Sequence, residues 1–243
     1  MVEVRGKLFM IDCGEGAQMQ LRRSHIRFTK IGHVFISHLH GDHCFGLMGM
    51  ISTFGMLGRT AKLHIYATAE LEPMLQSQLE MYCPHLSFEV VFHPIDTTKE
   101  EVIYEDRSLS VTTLPMQHRI PCCGFLFREK PTRAHLRNES AAPLRSYAYC
   151  SDTRYMSDLH QRIEGVSTLY HESTYADDNL LMAEKYNHST AREAAQVARD
   201  AHAGQLLLGH YSSRYEDEDL LLNEAKAVFE NTFLSQENAV FDV

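Results

Sequence analysis

The residues that point most clearly to chemistry form one short string, His-x-His-x-Asp-His, made of His38, His40, Asp42 and His43. Side chains two positions apart in an extended segment point the same way, so His38 and His40 can bind one ion. Asp42 and His43 lie one step further on and can face a neighbouring ion. Neutral imidazole suits zinc, and a carboxylate beside it accommodates a second divalent cation. Chance clustering among fifteen histidines is the alternative, but this string is among the more specific metal signatures.

The segments around the string predict how it is positioned. Residues 34–36 form an apolar, strand-like run before it, and residues 44–51 predict a buried helix after it. The string therefore lies at a strand-to-helix turn, where Gly41 lets the backbone fold tightly enough for the four side chains to converge.

An earlier strand pair, predicted over residues 2–11 with a turn near Arg5 and Gly6, ends at Asp12. The glycines after Asp12 permit a sharp turn into a helix that begins at Ala17. Asp12 can hydrogen-bond a metal-bound histidine from behind, or it can be an ordinary turn residue. From the residues alone, both interpretations stay open.

Three further ligand types each lie just past the end of a predicted strand. These strands cover residues 109–114, 147–150 and 205–208, and the residues that follow them are His118, Asp152 and His210. Open α/β sheets gather their functional groups at the carboxyl ends of their strands. Four strand ends are therefore expected to deliver metal ligands to one place.

A possible proton donor follows from the same logic. A strand over residues 168–170 leads into Glu172, and His188 stands just before a capping-box pattern, Thr190-x-x-Glu193. The pattern predicts a helix that runs to residue 204, with His188 near its N-terminus, where an anionic phosphate is favoured. Glu172 could hold His188 protonated to donate to a leaving oxygen.

Ser212 and Arg214 follow His210 closely and offer a hydroxyl and a guanidinium to a substrate. The equally simple interpretation is a capped turn before a helix over residues 216–229.

Composition limits the class of protein. A chain of 243 residues with 44% hydrophobic content is long enough for one large α/β domain. A formal charge of −9 excludes a uniformly basic nucleic-acid coat, although the positive run at residues 22–30 could contact phosphate or be solvated surface. Six cysteines without a Cys-x-x-Cys pair, and no signal peptide, predict a cytoplasmic protein. No segment has the unbroken apolar length of a membrane span.

Together these strings resemble the metallo-β-lactamase superfamily and, within it, ribonuclease Z, the endonuclease family that trims transfer-RNA 3′ ends. The resemblance covers nearly the whole chain and rests on the metal string and on residues 12–18, 150–153, 171–174, 188–190 and 209–215. It implies an αββα sandwich spanning residues 1–243 as a single domain.

The resemblance also implies a site and a reaction. Two zinc ions per chain would be held by His38, His40 and His118 for one, by Asp42, His43 and His210 for the other, and by Asp152 for both. Such a pair generates a hydroxide that attacks phosphorus. The catalytic residues would be Asp42, His188 and Glu172, with His188 protonating the departing 3′ oxygen of precursor transfer RNA. The family further suggests a homodimer.

Two departures from the family pattern accompany the resemblance. The family normally has another strand before the segment that opens this sequence. It also carries a long flexible arm that grips transfer RNA, and residues 128–146 would be its shortened remnant. The rival functions are a same-fold metallohydrolase acting on small phosphodiesters or other esters, and a non-catalytic module in which zinc only staples strand ends.

Overall fold

The computed structural model describes residues 1–137 and 142–243, so residues 138–141 of the predicted arm remnant lie outside it. Contacts group the chain into two compact units, Met1–Asp96 and Thr97–Val243. The single-domain organisation expected from the sequence stays a prediction.

The first unit contains a five-stranded sheet in the order β1-β2-β3-β4-β5. Its strands are β1 (Val2–Val4), β2 (Lys7–Ile11), β3 (Ile31–Phe35), β4 (Leu63–Ala67) and β5 (Val90–Pro94). The β1–β2 pair is antiparallel and the other pairs are parallel. The predicted turn at Arg5 and Gly6 is confirmed, and both residues have positive φ, 50° and 77°, as a tight hairpin turn requires.

Four helices accompany this sheet: α1 (Ala17–Arg23), α2 (Gly41–Cys44), α3 (Leu47–Met56) and α4 (Leu71–Tyr82). Buried side chains of α1, α3 and α4, such as Leu21, Ile51 and Leu75, share one hydrophobic core with Val34 and Ile65 of the sheet. The prediction of one helix over residues 44–51 is wrong, because α2 ends at Cys44 and α3 begins at Leu47. The chain forms two helices, and Phe45 between them is exposed.

The second unit contains a seven-stranded sheet in the order β12-β11-β10-β9-β8-β7-β6. Its strands are β6 (Val102–Glu105), β7 (Leu109–Pro115), β8 (Cys123–Glu129), β9 (Ser146–Cys150), β10 (Thr168–Glu172), β11 (Gln205–Gly209) and β12 (Thr232–Leu234). The strands from β6 to β9 pair antiparallel, and those from β9 to β12 pair parallel. The strands predicted at residues 109–114, 147–150 and 205–208 are confirmed as β7, β9 and β11.

The helices of this unit are α5 (Arg133–Leu136), α6 (Leu159–Arg162), α7 (Leu180–Tyr186), α8 (Ala191–Asp200) and α9 (Asp219–Lys226). Helix α8 presents an alanine stripe, Ala191, Ala194, Ala195 and Ala198, to the core, because small side chains let a helix approach a sheet closely. No helix within residues 1–137 and 142–243 is long and apolar enough to cross a membrane.

Two predicted helix boundaries in this unit are corrected. Helix α8 ends at Asp200 rather than at residue 204, because His202 takes a left-handed conformation with φ 50° and closes the helix. The amide of Ala203 donates to the carbonyl of Ala198, as in a Schellman C-cap. The helix predicted over residues 216–229 covers only Asp219–Lys226, since Asp217 accepts the amide of Asp219 in a preceding turn.

Candidate metal centre

In the first unit, the end of β3 and the short helix α2 place the predicted metal string. The Nε2 of His38 lies 2.9 Å from the Nδ1 of His40. The Nε2 of His43 lies 3.5 Å from a carboxylate oxygen of Asp42. His38 and His43 are buried whereas Asp42 is exposed. The string therefore brings three imidazoles and one carboxylate to the same end of the sheet.

Asp12 orients this string from behind. One carboxylate oxygen accepts the backbone amide of Ser37 at 2.8 Å. The other accepts the Ser37 hydroxyl at 2.9 Å and faces the Nδ1 of His43 at 2.8 Å. Because a carboxylate can only accept, the Nδ1 of His43 must carry the proton, and Nε2 becomes the coordinating nitrogen. Of the two interpretations of Asp12, this geometry favours the one in which it supports a ligand.

Two glycines make room for the string. A Cβ on Gly14 would lie 2.2 Å from the carbonyl oxygen of Asp42, so the loop after Asp12 can pack against α2 only with glycine at this position. Gly41 is expected to let the backbone fold tightly, and it does so without a positive φ. Its role is space instead, since a Cβ there would lie 2.5 Å from the ring of Phe45.

In the second unit, His118, Asp152 and His210 come together after the ends of β7, β9 and β11, which are alternate strands of the sheet. The Nε2 of His210 lies 3.2 Å from one carboxylate oxygen of Asp152, and the Nε2 of His118 lies 3.6 Å from the other. The loops that carry His118 and Asp152 are joined by a bond from the Arg154 amide to the Gln117 carbonyl. Asp152 can therefore offer both of its oxygens to ions held by two different histidines.

Three of the predicted site residues lie in a sparsely populated backbone region. Asp12, Asp152 and His210 have φ values of 54°, 56° and 58°. A residue with a Cβ is strained in this left-handed region by about 1 kcal/mol or more, and such strain persists where a functional constraint holds it. Asp12 and His210 come directly after β2 and β11, and Asp152 comes two residues after the end of β9.

Glu172 and His188 also meet in the second unit. The buried carboxylate of Glu172 accepts His188 Nδ1 at 2.9 Å, together with the backbone amides of Thr153 at 2.7 Å and Ser189 at 3.1 Å. Burial lowers the pKa of His188, but the hydrogen bond to Glu172 and the charges of Glu172 and Asp152 outweigh it, so the net pKa is raised. The ring of His188 packs on that of His210, with centroids 5.4 Å apart. A protonatable imidazole therefore stands beside candidate metal ligands.

The structure places Ser212 and Arg214 in a turn after His210. The guanidinium of Arg214 donates to the side-chain oxygen of Asn179 at 2.8 Å and lies 5.2 Å above the ring of Tyr175. The amide of Ser212 donates to the carbonyl of Thr174. Of the two interpretations given to these residues, the turn is present, and contact with a substrate stays a prediction.

The donor sets fit zinc on chemical grounds. Each of four imidazoles has its Nδ1 within hydrogen-bond distance of an oxygen: His38 at the Ser37 hydroxyl, His43 at Asp12, His118 at the Asn187 carbonyl and His210 at the Thr174 hydroxyl. An oxygen partner on one ring nitrogen is the usual support of a zinc-bound histidine. Within the second unit, ligand atoms of Asp152, His188 and His210 all lie within 4.8 Å of one another. These clusters of His and Asp can hold metal.

Sequence reasoning missed three supporting residues, Ser37, Thr174 and Asn187. Ser37 directly precedes His38, and Thr174 closes the string that begins at His171. A hydroxyl residue next to a predicted ligand or carboxylate is a signal that could have singled out Ser37 and Thr174. No such signal exists for Asn187, because it contributes a backbone carbonyl.

Comparison with known proteins first identifies the class. A family model described as a beta-lactamase superfamily domain matches residues 8–211. The crystal structure of human tRNase Z, short form, is similar with a TM-score of 0.81 and 26% identity, covering 99% of this chain and 90% of that chain. Fold and donor sets thus define a protein of the β-lactamase superfamily, and the metallo-β-lactamase fold expected from the sequence is confirmed.

Curated relatives narrow the class further. The chain is 48% identical to "Ribonuclease Z" of Bacteroides fragilis strain YCH46 over 274 aligned positions, covering 98% of this chain and 90% of the relative. It is 40% identical to "Ribonuclease Z" of Porphyromonas gingivalis strain W83, covering 100% of this chain and 92% of the relative. The chain belongs to the ribonuclease Z family.

Proposed function

We propose that this protein is a zinc-dependent endoribonuclease that removes the 3′ trailer from precursor transfer RNA and leaves a 3′-hydroxyl. The observation that carries the proposal is the contact of the buried Glu172 with the half-buried His188, beside Asp152 and His210. A site that only binds metal as a staple needs ligands, whereas this one also has a protonatable imidazole held in one orientation by Glu172. The relatives named ribonuclease Z and the similar human tRNase Z support RNA, and transfer RNA in particular, as the substrate class.

Two zinc ions per chain are part of this proposal. The ligands would be His38, His40 and His118 for one ion, Asp42, His43 and His210 for the other, and Asp152 for both. When bound, the ions activate a water for attack on phosphorus and neutralise charge on the phosphoryl oxygens. The support in this chain is the oxygen partner behind each of His38, His43, His118 and His210.

His188 would deliver the proton that the reaction needs. Its Nδ1 is held by Glu172 at 2.9 Å, so Nε2 is the nitrogen that can donate to the departing 3′ oxygen. Glu172 accepts four hydrogen bonds and is fully buried, and it therefore holds the ring in one orientation. Without that proton the leaving alkoxide would be a poor leaving group, whereas a nitrophenolate would hardly need it.

Ser212 and Arg214 are proposed to contact the substrate. Arg214 is held by Asn179 and Tyr175, which would present its guanidinium in one place rather than as a mobile surface charge. A planar guanidinium suits bidentate contact with phosphate.

A homodimer in the cytoplasm completes the proposal. Large apolar side chains are exposed on the first unit, among them Met19, Met56 and Leu57. Apolar surface of this kind is typical of protein interfaces. Sedimentation or light scattering on the purified protein would give the mass, and a monomer at micromolar concentration would contradict the dimer.

The test is incubation of the purified protein with a precursor transfer RNA that bears a 3′ trailer, in parallel with a small phosphodiester, with and without a chelator. We expect one cut that leaves a 3′-hydroxyl on the transfer RNA and a 5′-phosphate on the trailer, loss of cleavage with chelator, and recovery with zinc. Cleavage of the small diester without any cut in the RNA would favour the small-diester rival.

A matched pair of variants tests the metal assignment in the same assay. Asp152→Ala should lose much of both zinc ions and the activity, because its two oxygens are proposed to bind both. Asp158→Ala removes a surface carboxylate that pairs with Arg162 and should change neither. An Asp152→Ala protein that kept both ions would contradict the bridging role.

A further inference from the structure

The Thr174 hydroxyl lies where the Glu172–His188 pair meets the ligand candidate His210. Its Oγ1 is 2.6 Å from a carboxylate oxygen of Glu172 and 2.9 Å from Nδ1 of His210. A longer approach, 3.3 Å, joins it to Nδ1 of His188. Thr174 is buried, so water is a poor substitute for these partners.

The number of hydrogens on each group determines which atom donates in each hydrogen bond. A hydroxyl has one hydrogen and otherwise accepts, and a carboxylate only accepts. The hydrogen of Thr174 must therefore point to Glu172. At His210 the hydroxyl can then only accept, so the proton of the His210 ring lies on Nδ1 and the lone pair of a neutral ring lies on Nε2. That Nε2 is the nitrogen 3.2 Å from Asp152.

The first unit repeats this arrangement with different residues. The Ser37 hydroxyl lies 2.9 Å from a carboxylate oxygen of Asp12 and 3.0 Å from Nδ1 of His38. Asp12 meanwhile holds His43 directly, as Glu172 holds His188 directly. In each unit one carboxylate thus holds one histidine by itself and a second histidine through a hydroxyl.

We infer that Ser37 and Thr174 are positioning residues for zinc, each relaying a buried carboxylate to a histidine and so holding His38 and His210 with Nδ1 protonated and Nε2 directed at the metal. The inference deepens the proposed function and rests on its zinc dependence. Through each hydroxyl, the carboxylate orients a second ring that it does not contact itself. The relay therefore lets one carboxylate orient two rings.

The test compares Thr174→Val, which keeps the shape and removes the hydroxyl, with Thr174→Ser, which keeps the hydroxyl. Zinc affinity is measured by competition with a chromogenic chelator. We expect Thr174→Val to bind the zinc ion at His210 about 10- to 100-fold less tightly. This is the usual effect of removing a hydrogen-bond partner of a metal-binding histidine. Thr174→Ser should bind close to the unchanged chain.

A spectroscopic readout separates positioning from a general loss of structure. In zinc-loaded protein labelled with ¹⁵N-histidine, the ring of His210 should show a slowly exchanging Nδ1–H in the unchanged chain and in Thr174→Ser, but not in Thr174→Val. Thr113→Val is the matched control, because it removes a buried threonine hydroxyl that donates to the Lys99 carbonyl instead. It should alter neither the zinc affinity nor this signal.

Two results would overturn the relay. One is a folded Thr174→Val protein with unchanged zinc affinity and an unchanged Nδ1–H signal. The other is an equal loss of affinity in Thr174→Val and Thr174→Ser, which would make the effect steric. Should Thr174→Val fail to fold, Ser37→Ala tests the same relay at His38, with the same expected loss of affinity.

The relay and the proposed function can fail separately. Neither the affinity measurement nor the ring signal needs RNA. A chain that binds zinc through the relay but leaves precursor transfer RNA uncut would refute the function and keep the relay. If the unchanged chain trims the RNA and Thr174→Val binds zinc with normal affinity, the proposed function is kept and the relay is refuted.

Discussion

At the residue scale, the proposed reaction depends on a proton donor for the departing 3′ oxygen, and His188 is placed for that task. His188→Ala should leave the zinc content nearly unchanged and lower turnover of precursor transfer RNA about a hundredfold or more, the scale of a lost general acid. The loss should be smaller on a nitrophenyl phosphodiester, because nitrophenolate leaves without a proton. The test measures steady-state rates on both substrates and the zinc content of the variant.

The control for this variant is His160→Ala, which removes a ring whose Nδ1 lies 2.8 Å from the nearby Ser157 carbonyl. It should leave both rates unchanged. Equal losses on the two substrates in His188→Ala would contradict a proton donor and point to positioning.

The charge of Glu172 should also govern the pH range of activity. Burial lowers the pKa of His188, but the hydrogen bond to Glu172 and the charges of Glu172 and Asp152 raise it by more, so the net shift is upward. Glutamine at position 172 can still accept a hydrogen bond but has no charge, so the pKa of His188 should fall. The protonated donor would then be lost at lower pH, and the alkaline limb of the kcat profile should move to lower pH in Glu172→Gln. An alkaline limb that stays in place would show that another group sets it.

At the scale of elements, Arg59 ties three segments of the first unit together. Its buried guanidinium donates to four carbonyl oxygens, those of Thr29, Ile31, Ala61 and Lys62, at 2.6 to 3.1 Å. It also lies 5.2 Å and 5.5 Å from the ring centroids of Phe54 and Phe88. The start of β3, the start of β4 and the end of α3 thus share one side chain, and β3 leads directly to the metal string.

Loss of these bonds should destabilise the fold. Arg59→Met keeps most of the buried stem but removes the donor of four carbonyls, of which that of Ile31 is buried, and this should cost on the order of 3 kcal/mol of unfolding free energy. Denaturant unfolding measures it. Arg27→Met, at an exposed arginine, should change the free energy by less than about 0.5 kcal/mol. A midpoint for Arg59→Met equal to that of Arg27→Met would mean that the carbonyls find other donors.

At the scale of the whole molecule, the charge of −9 makes RNA binding the demanding step. The basic residues near the predicted arm remnant are partly neutralised, since Lys130 pairs with Glu105 and Arg145 pairs with Glu129. The run at residues 22–30 contains four exposed cations, and no carboxylate occurs between residues 16 and 41. The alignment with the Bacteroides fragilis relative spans 274 positions against 243 residues here, so that relative has residues that this chain lacks.

We therefore expect this chain to hydrolyse a small phosphodiester and to bind precursor transfer RNA weakly. A version with a basic arm inserted between Arg128 and Ser146 should bind tightly and with a steeper dependence on salt, because each added phosphate contact releases counterions. A Gly/Ser insert of equal length is the control. Tight binding of precursor transfer RNA by the chain without an insert would contradict this expectation. Substitution of the cations at residues 22–30 would then test whether they contact the RNA.

The sequence by itself determined the strands that precede the ligands and the identity of the candidate ligands, whereas the bounds of three helices needed correction. A hairpin turn, a strand and a helix cap each depend on residues that are close in the sequence. The sequence could therefore correctly predict the turn at Arg5 and Gly6 and the capping box of Thr190 with Glu193. A ligand type directly after an apolar run is also a local signal, which is why His118, Asp152 and His210 stood out.

The tertiary structure alone decided which side chains support those ligands. Ser37 reaches Asp12 across 25 positions, and Thr174 reaches His210 across 36. Both contacts exist because parallel pairing sets neighbouring strand ends side by side, β2 against β3 and β10 against β11. A pattern of hydrophobicity defines each strand but not its neighbour or register, since pairing depends on the packing of the whole sheet. The hydroxyls beside His38 and His210 therefore acquired their role only in the folded chain.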